Sequence, residues 1–254
     1  MGDLGHNRPI GHQSSLFLFF AATIGGALNS VAGGGSFLTL PALLYGGITP
    51  VAANATSTLA LWPGSVSSAF AYRHEFKTTG ARLFGLLAAS LAGGLIGALL
   101  LVRTSDTSFL SVLPWLMLLA AGTFTFGRRR PAHDSAPHSL WMVLGLQFAI
   151  AIYGGYFGGG MGVMMLATLS LAGMTDIHEM NGLKSLLGAT INGVALVEFV
   201  FRHAIVWQPG LVMVAGSVLG GYAGASVARR VDRRKVRTLA TVVAWVMTIY
   251  FFVR

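Results

Sequence analysis

The chain has 254 residues, 54% of them hydrophobic and only 10% charged, against roughly 25% charged in an average soluble domain. Its formal charge is +9, but the basic residues stand in short clusters between apolar runs, which fits positive-inside sorting at a membrane and not a nucleic-acid surface. Cysteine is absent, so disulfides, thiolate metal sites and thiol catalysis are excluded.

The N-terminal stretch MGDLGHNRPIGHQSS has no basic segment followed by an apolar core and a cleavage site, so no removable signal peptide is expected. From Ser15 to Tyr72 there is no charged side chain. One crossing of the hydrocarbon core takes about 20 apolar residues, so this tract crosses more than once. It contains VAGGGSFLTLPALLYGGITPVAANATS (Val31 to Ser57), an apolar segment broken by Gly33, Gly34 and Gly35. Such a triplet carries no side-chain bulk and adopts positive φ readily. In lipid the break is tolerated only where protein or a water-filled cavity surrounds it. A helix restarting after the break would turn unsatisfied N–H groups and a positive dipole end towards the gap, a setting suited to an anion. Close helix packing is the competing reading, because small residues are common at transmembrane interfaces.

Pro41 and Pro50 flank the end of this segment, and Pro50 suits the first turn of the next helix. On that helix Asn54, Ser57, Thr58, Leu61, Ser65 and Ser68 recur at three- and four-residue spacing and form a polar stripe. Asn54 and Ser57, nearest the break, serve either a substrate or interhelical hydrogen bonds. A helix ending AYRHEF, a small-residue helix AASLAGGLIGALL, a turn at Arg103 and a helix from Phe109 complete the half. The stretch Arg128 to His138, RRRPAHDSAPH, reads as a solvated linker.

The second half repeats that order. YFGGGMGVMMLATLSLAGMTDIHEMNGLKS (Tyr156 to Ser185) carries the triplet Gly158, Gly159 and Gly160. On the following helix Asn181, Lys184, Ser185, Gly188, Asn192 and Ala195 share a face, and thirteen uncharged residues follow Lys184. An ionisable side chain in such a segment normally faces a cavity or a partner, and the alternative is a late helix start with the amine snorkelling to the headgroups. Glu198 lies about 21 Å along the axis from Lys184, too far for an ion pair, and an i,i+4 pair with Arg202 is expected. FVFRHA, AGSVLGGYAGASVA, a basic turn at Arg229 and a helix from Val236 then match the end of the first half.

The expected fold is all-α: a polytopic transmembrane bundle of two homologous repeats, residues 15–127 and 139–253, with about eight hydrophobic segments and one glycine-broken, re-entrant segment per repeat. If each broken segment returns to its starting side, the basic clusters Arg73 to Arg82, Arg128 to Arg130 and Arg229 to Arg237 all lie in the cytoplasm and both termini outside. That inverted arrangement is favoured over eight simple spans, by analogy with transporters built from inverted repeats and broken helices.

None of the seven histidines lies inside a clear span, and no nucleophile with a positioned base, metal-ligand spacing or phosphate-loop lysine occurs. No cofactor is therefore expected, and energy would come from a proton, sodium or substrate gradient or a partner ATPase. Duplicated broken segments favour a secondary transporter, with a binding site near the midplane, over an intramembrane enzyme or a scaffold or sensor. The expected partners are the lipid bilayer and a small anionic substrate. An oligomer is compatible with the pattern.

The motif AGGGSFLTLPALLYGGITPVAANATS, with its weaker copy beginning GGGMG, resembles the TauE/SafE family of sulfite exporter-like permeases over almost the whole chain. The second copy departs from the first by lacking a proline at Met165 and Leu166 and by offering Asn-Gly-Leu-Lys-Ser where the first has Asn-Ala-Thr-Ser. The resemblance implies transport of small anions, often sulfur-containing, across the bacterial inner membrane. Gly33 to Ser36, Asn54, Ser57, Gly158 to Gly160, Asn181, Lys184 and Ser185 are the expected substrate-binding residues.

Overall fold

The computed structural model describes residues 12–75, 78–127, 139–228 and 233–253. Among them there are helices and no strands. In chain order these are α1 (His12–Ala32), α2 (Ser36–Tyr45), α3 (Pro50–Ala71), α4 (Gly80–Arg103), α5 (Asp106–Phe126), α6 (Leu140–Tyr156), α7 (Met161–Leu171), α8 (Ile177–Phe201), α9 (Trp207–Ala228) and α10 (Arg233–Val253), with a single 3-10 turn at Arg73–Glu75. The eight expected segments become ten helices because each broken segment is a pair, α1 with α2 and α6 with α7. The linker at Arg128 to His138 and the cluster from Arg229 to Asp232 lie outside the described residues.

Three helices, Gly80–Arg103, Asp106–Phe126 and Ile177–Phe201, are long and apolar enough to cross a membrane, and several shorter apolar helices accompany them. Large apolar side chains such as Phe20, Phe84, Trp141 and Phe201 are exposed on the outside of the bundle. In a bilayer these face lipid, where no aqueous penalty applies and every backbone group is satisfied inside its own helix. The chain is a multi-pass membrane protein.

Local signals set the helix starts. Pro50 occupies the first turn of α3, where its missing N–H costs nothing. The neighbouring Val51 N–H, one of the orphan donors of that turn, donates to Asp106 Oδ1 at 2.9 Å, so the start of α5 caps α3. The Asp176 side chain caps α8 by accepting from the N–H groups of His178 and Glu179. Pro41, expected to flank the end of the broken segment, sits inside α2 instead. The helix continues past it to Tyr45, so only one internal hydrogen bond is forfeited.

Both short helices fold back along the helix before them. In the first pair a Cβ at Gly25 of α1 would touch Thr39 and Leu38 of α2, and the Phe17 and Tyr45 rings meet 5.6 Å apart near the start of α1. In the second, Arg82 at the start of α4 donates from Nη2 to the Ala172 carbonyl at the end of α7 (2.7 Å), while α4 runs alongside α6. Each pair is a helical hairpin with its glycine break at the tip.

The longer helices pack in matched ways. α1 packs closely on α9 and α6 on α4. A Cβ at Gly220 would collide with the Thr23 carbonyl, and one at Gly93 with the Phe148 carbonyl. Helices α3 and α8 run antiparallel. Near one end the Val206 N–H donates to Thr56 Oγ1 (3.1 Å), midway Trp62 Nε1 donates to the Ala189 carbonyl (3.0 Å), and at the other end Thr78 donates to Glu179. Helices α5 and α10 are also antiparallel, joined by the Trp115–Phe252 ring contact and by Trp245 Nε1 donating to Thr125 Oγ1.

Candidate functional site

The two glycine breaks meet inside the bundle. A Cβ built on Gly33 would lie 3.8 Å from Gly162 Cα, just past the second triplet. Positive φ angles occur at Gly33 (+77°), Gly158 (+81°) and Gly160 (+77°), where a side chain would be strained. Gly34, Gly35 and Gly159 have ordinary φ and serve close packing: a Cβ on Gly34 would press on Phe124 at 3.3 Å, and one on Gly35 on the Gly25 carbonyl at 2.7 Å. Each triplet therefore combines two roles, a turn at Gly33 in the first and at Gly158 and Gly160 in the second, and tight contact at the remaining glycines. Tyr153 fixes the second tip, its hydroxyl donating to the Gly159 carbonyl at 2.5 Å.

Between the breaks, α3 and α8 lies a cavity of about 70 Å³. That is room for a small ligand or several waters. Gly33 and Ser36 line it from the first hairpin, Gly158, Met161 and Gly162 from the second, Thr58, Ser65 and Ser68 from α3, and Lys184, Ser185, Gly188 and Asn192 from α8. Ser36 and Gly162 belong to the first turns of α2 and α7, whose starts are positive helix ends beside the cavity.

Lys184 is the one charged residue among those lining the cavity. Helix α8 begins at Ile177, so the amine sits about 10 Å into the helix and not at its end. Its stem turns towards the second break, where a Cβ on Gly162 would lie 3.3 Å from Lys184 Cδ. No hydrogen bond or ion pair engages Lys184 among the described residues. The Lys184 stem lines the cavity wall. Glu198 and Arg202 form the expected i,i+4 pair at 2.7 Å, well away from the cavity.

The expected site residues divide into two groups. Gly33, Ser36, Gly158, Lys184 and Ser185 line the cavity. Gly34, Gly35, Gly159 and Gly160 lie behind it, with Gly160 against Ala120 and Phe124. Asn54 is buried and donates from Nδ2 to the Tyr156 carbonyl at 2.9 Å, tying α3 to the end of α6. Ser57 is buried against Thr39, oxygen to oxygen 2.6 Å, tying α3 to α2. Neither lines the cavity, and neither does Asn181. Asn29, Ser30 and Asn192 do line it. Asn29 and Ser30 were the missed signal, the two polar residues just before the break in an otherwise apolar stretch.

A family model described as "Sulfite exporter TauE/SafE" matches residues 18–251. The chain belongs to the TauE/SafE family. It is 26% identical over 242 residues to a Haemophilus influenzae protein named "Probable membrane transporter protein", covering 94% of each chain. It is 31% identical over 239 residues to "Probable membrane transporter protein ORF9" of Sinorhizobium, covering 92% of this chain and 90% of that one. To "Probable membrane transporter protein YfcA" of Escherichia coli K12 it is 28% identical over 240 residues, covering 91% and 87%. No solved structure matches. By its TauE/SafE membership this chain is a membrane transporter.

Proposed function

We propose that the protein is a secondary permease of the bacterial inner membrane that moves a small anion by alternating access. A sulfur-containing oxyanion or an organic sulfonate or carboxylate is the class of substrate. The observation that carries this reading is the cavity between the breaks: one lysine, no acidic side chain among its lining residues, the starts of two helices and several hydroxyls and amides. Such a site is complementary to a compact negative charge with several acceptor oxygens. Gly33, Ser36, Gly158, Lys184 and Ser185 are the first-choice contacts. Asn54, Ser57 and the remaining glycines hold the breaks in place, and Asn181 stands outside the cavity.

The same reading takes residues 15–127 and 139–253 as inverted repeats. Its support is the reciprocal packing of α1 on α9 and α6 on α4, with Gly220 and Gly93 at matching contacts, and the antiparallel pairs α3 with α8 and α5 with α10. An axis lying in the membrane plane relates elements in that way, and rocking one repeat against the other would open the cavity to alternate sides.

Tracer counterflow in proteoliposomes tests the proposal, with labelled sulfite, thiosulfate and methanesulfonate as probes. Exchange of at least one probe, competed by the others, is expected. A chemically altered product would point to an enzyme, and no exchange of any probe would remove the anion-permease reading. Sidedness has its own check on this cysteine-free chain: Thr78→Cys and Thr104→Cys should react with an impermeant thiol reagent from opposite faces.

A further inference from the structure

We infer that Lys184 is the coupling group of the permease, taking up one proton with each monovalent anion so that the pair crosses together. The inference rests on the anion-permease reading and adds the driving ion. Its basis is the composition of the cavity wall. Among the lining residues Lys184 alone titrates, and no carboxylate, histidine or tyrosine accompanies it.

No other titratable or charged group on the surrounding elements lines the cavity; His178, Arg103, Arg73, His74 and Glu75 are exposed at helix ends, and most of the rest are engaged elsewhere. On its own helix Glu179 accepts from the N–H and hydroxyl of Thr78, and Glu198 pairs with Arg202. On α4 Arg82 donates to the Ala172 carbonyl. On α6 the Tyr153 hydroxyl donates to the Gly159 carbonyl and the Tyr156 hydroxyl to Thr104. Asp106 accepts from Val51 at the far end of α3. Helix α7 contributes none, His12 opens α1 at the end away from the break, and Tyr45 of α2 is at the opposite end of its hairpin.

An ammonium in the empty cavity thus has no counter-charge, and the arriving anion supplies one. Binding of the proton and binding of the anion therefore favour each other, and by linkage the effect is reciprocal. The empty carrier can return with a neutral amine, and the loaded one crosses with ammonium and monovalent anion in balance. The proton passes from water on one side to Lys184 Nζ and from there to water on the other, and no other bond is made or broken. A sodium ion is a poor substitute, because the same cavity presents an amine and two positive helix ends and no carboxylate.

The test uses the whole chain in proteoliposomes, with the membrane potential clamped at zero and labelled methanesulfonate or thiosulfate as probe, neither of which titrates near neutral pH. With methanesulfonate, a gradient of about one pH unit, acid outside, should drive up to about tenfold accumulation at one proton per anion. Lys184→Arg, whose guanidinium stays charged, should lose the gradient-driven accumulation whatever tracer exchange it retains. If arginine does not fit and both are lost, the wild-type protein decides. Wild-type accumulation that ignores the pH gradient while tracer exchange proceeds overturns the inference and leaves the permease reading standing. Lys184→Arg that still accumulates in response to the gradient also overturns it. Absence of tracer exchange in the wild type removes the permease reading and this inference with it.

Discussion

The helix after each break carries a polar face, yet the two faces do different work. On α3, Asn54 and Ser57 are buried and spent on Tyr156 and Thr39. On α8, at the corresponding places in the motif, Asn181 stands outside the cavity and Lys184 opens onto it with Ser185 beside it. The start of α3 closes the structure around the break while Thr58, Ser65 and Ser68 further along it join the cavity wall, and α8 furnishes the charge.

Six substitutions would break or sharpen this contrast, and the largest effect is expected at the glycines both halves use alike. Gly33→Val and Gly158→Val each force a β-branched residue into positive φ and push bulk into the cavity. Backbone strain of up to about 3 kcal/mol corresponds to about a hundredfold, so tracer exchange should fall by about that factor in both. A loss confined to one half would show that only one break shapes the site.

The next effect belongs to the helix contacts that support both hairpins. Gly93→Val and Gly220→Val should each destabilise the detergent-solubilised protein by about 1–3 kcal/mol in thermal unfolding, because each new side chain meets a neighbouring carbonyl. Comparable losses are expected, and a harmless change at either glycine would end the argument for reciprocal packing.

Smaller changes separate the two polar faces. Ser185→Ala should weaken anion binding by roughly twofold to tenfold, the equivalent of one neutral hydrogen bond of about 0.5–1.5 kcal/mol, with little change in stability. Ser57→Ala should do the reverse: a stability loss on the order of 0.6 kcal/mol, typical of interhelical hydrogen bonds in membranes, and unaltered affinity. If Ser57→Ala weakens binding as much as Ser185→Ala does, the division between closing and lining faces fails.

Much of this organisation can be read from residues alone. The triplets mark both breaks, Pro50 marks the start of α3, and the uncharged run after Lys184 marks an amine inside a span. What periodicity supplies is a shared helix face, and a face has several possible neighbours. Asn54 and Lys184 read alike as polar residues on such faces. Only the packing separates them, since Asn54 meets the end of α6, 102 positions away, and Lys184 meets the open tip of a hairpin. Asn29 and Ser30 were hidden for a related reason. They precede the break, and nothing local reveals that the chain folds back and turns them towards α3 and α8.

The most direct test of the central claim is the dissociation constant of sulfite or methanesulfonate for purified, folded Lys184→Met beside the wild type. Methionine keeps the bulk of the stem and removes the charge. Loss of a charge-assisted hydrogen bond of about 1.5–3 kcal/mol predicts a tenfold to hundredfold rise in the constant. An unchanged constant in well-folded Lys184→Met would contradict the account and take Lys184 out of the binding site.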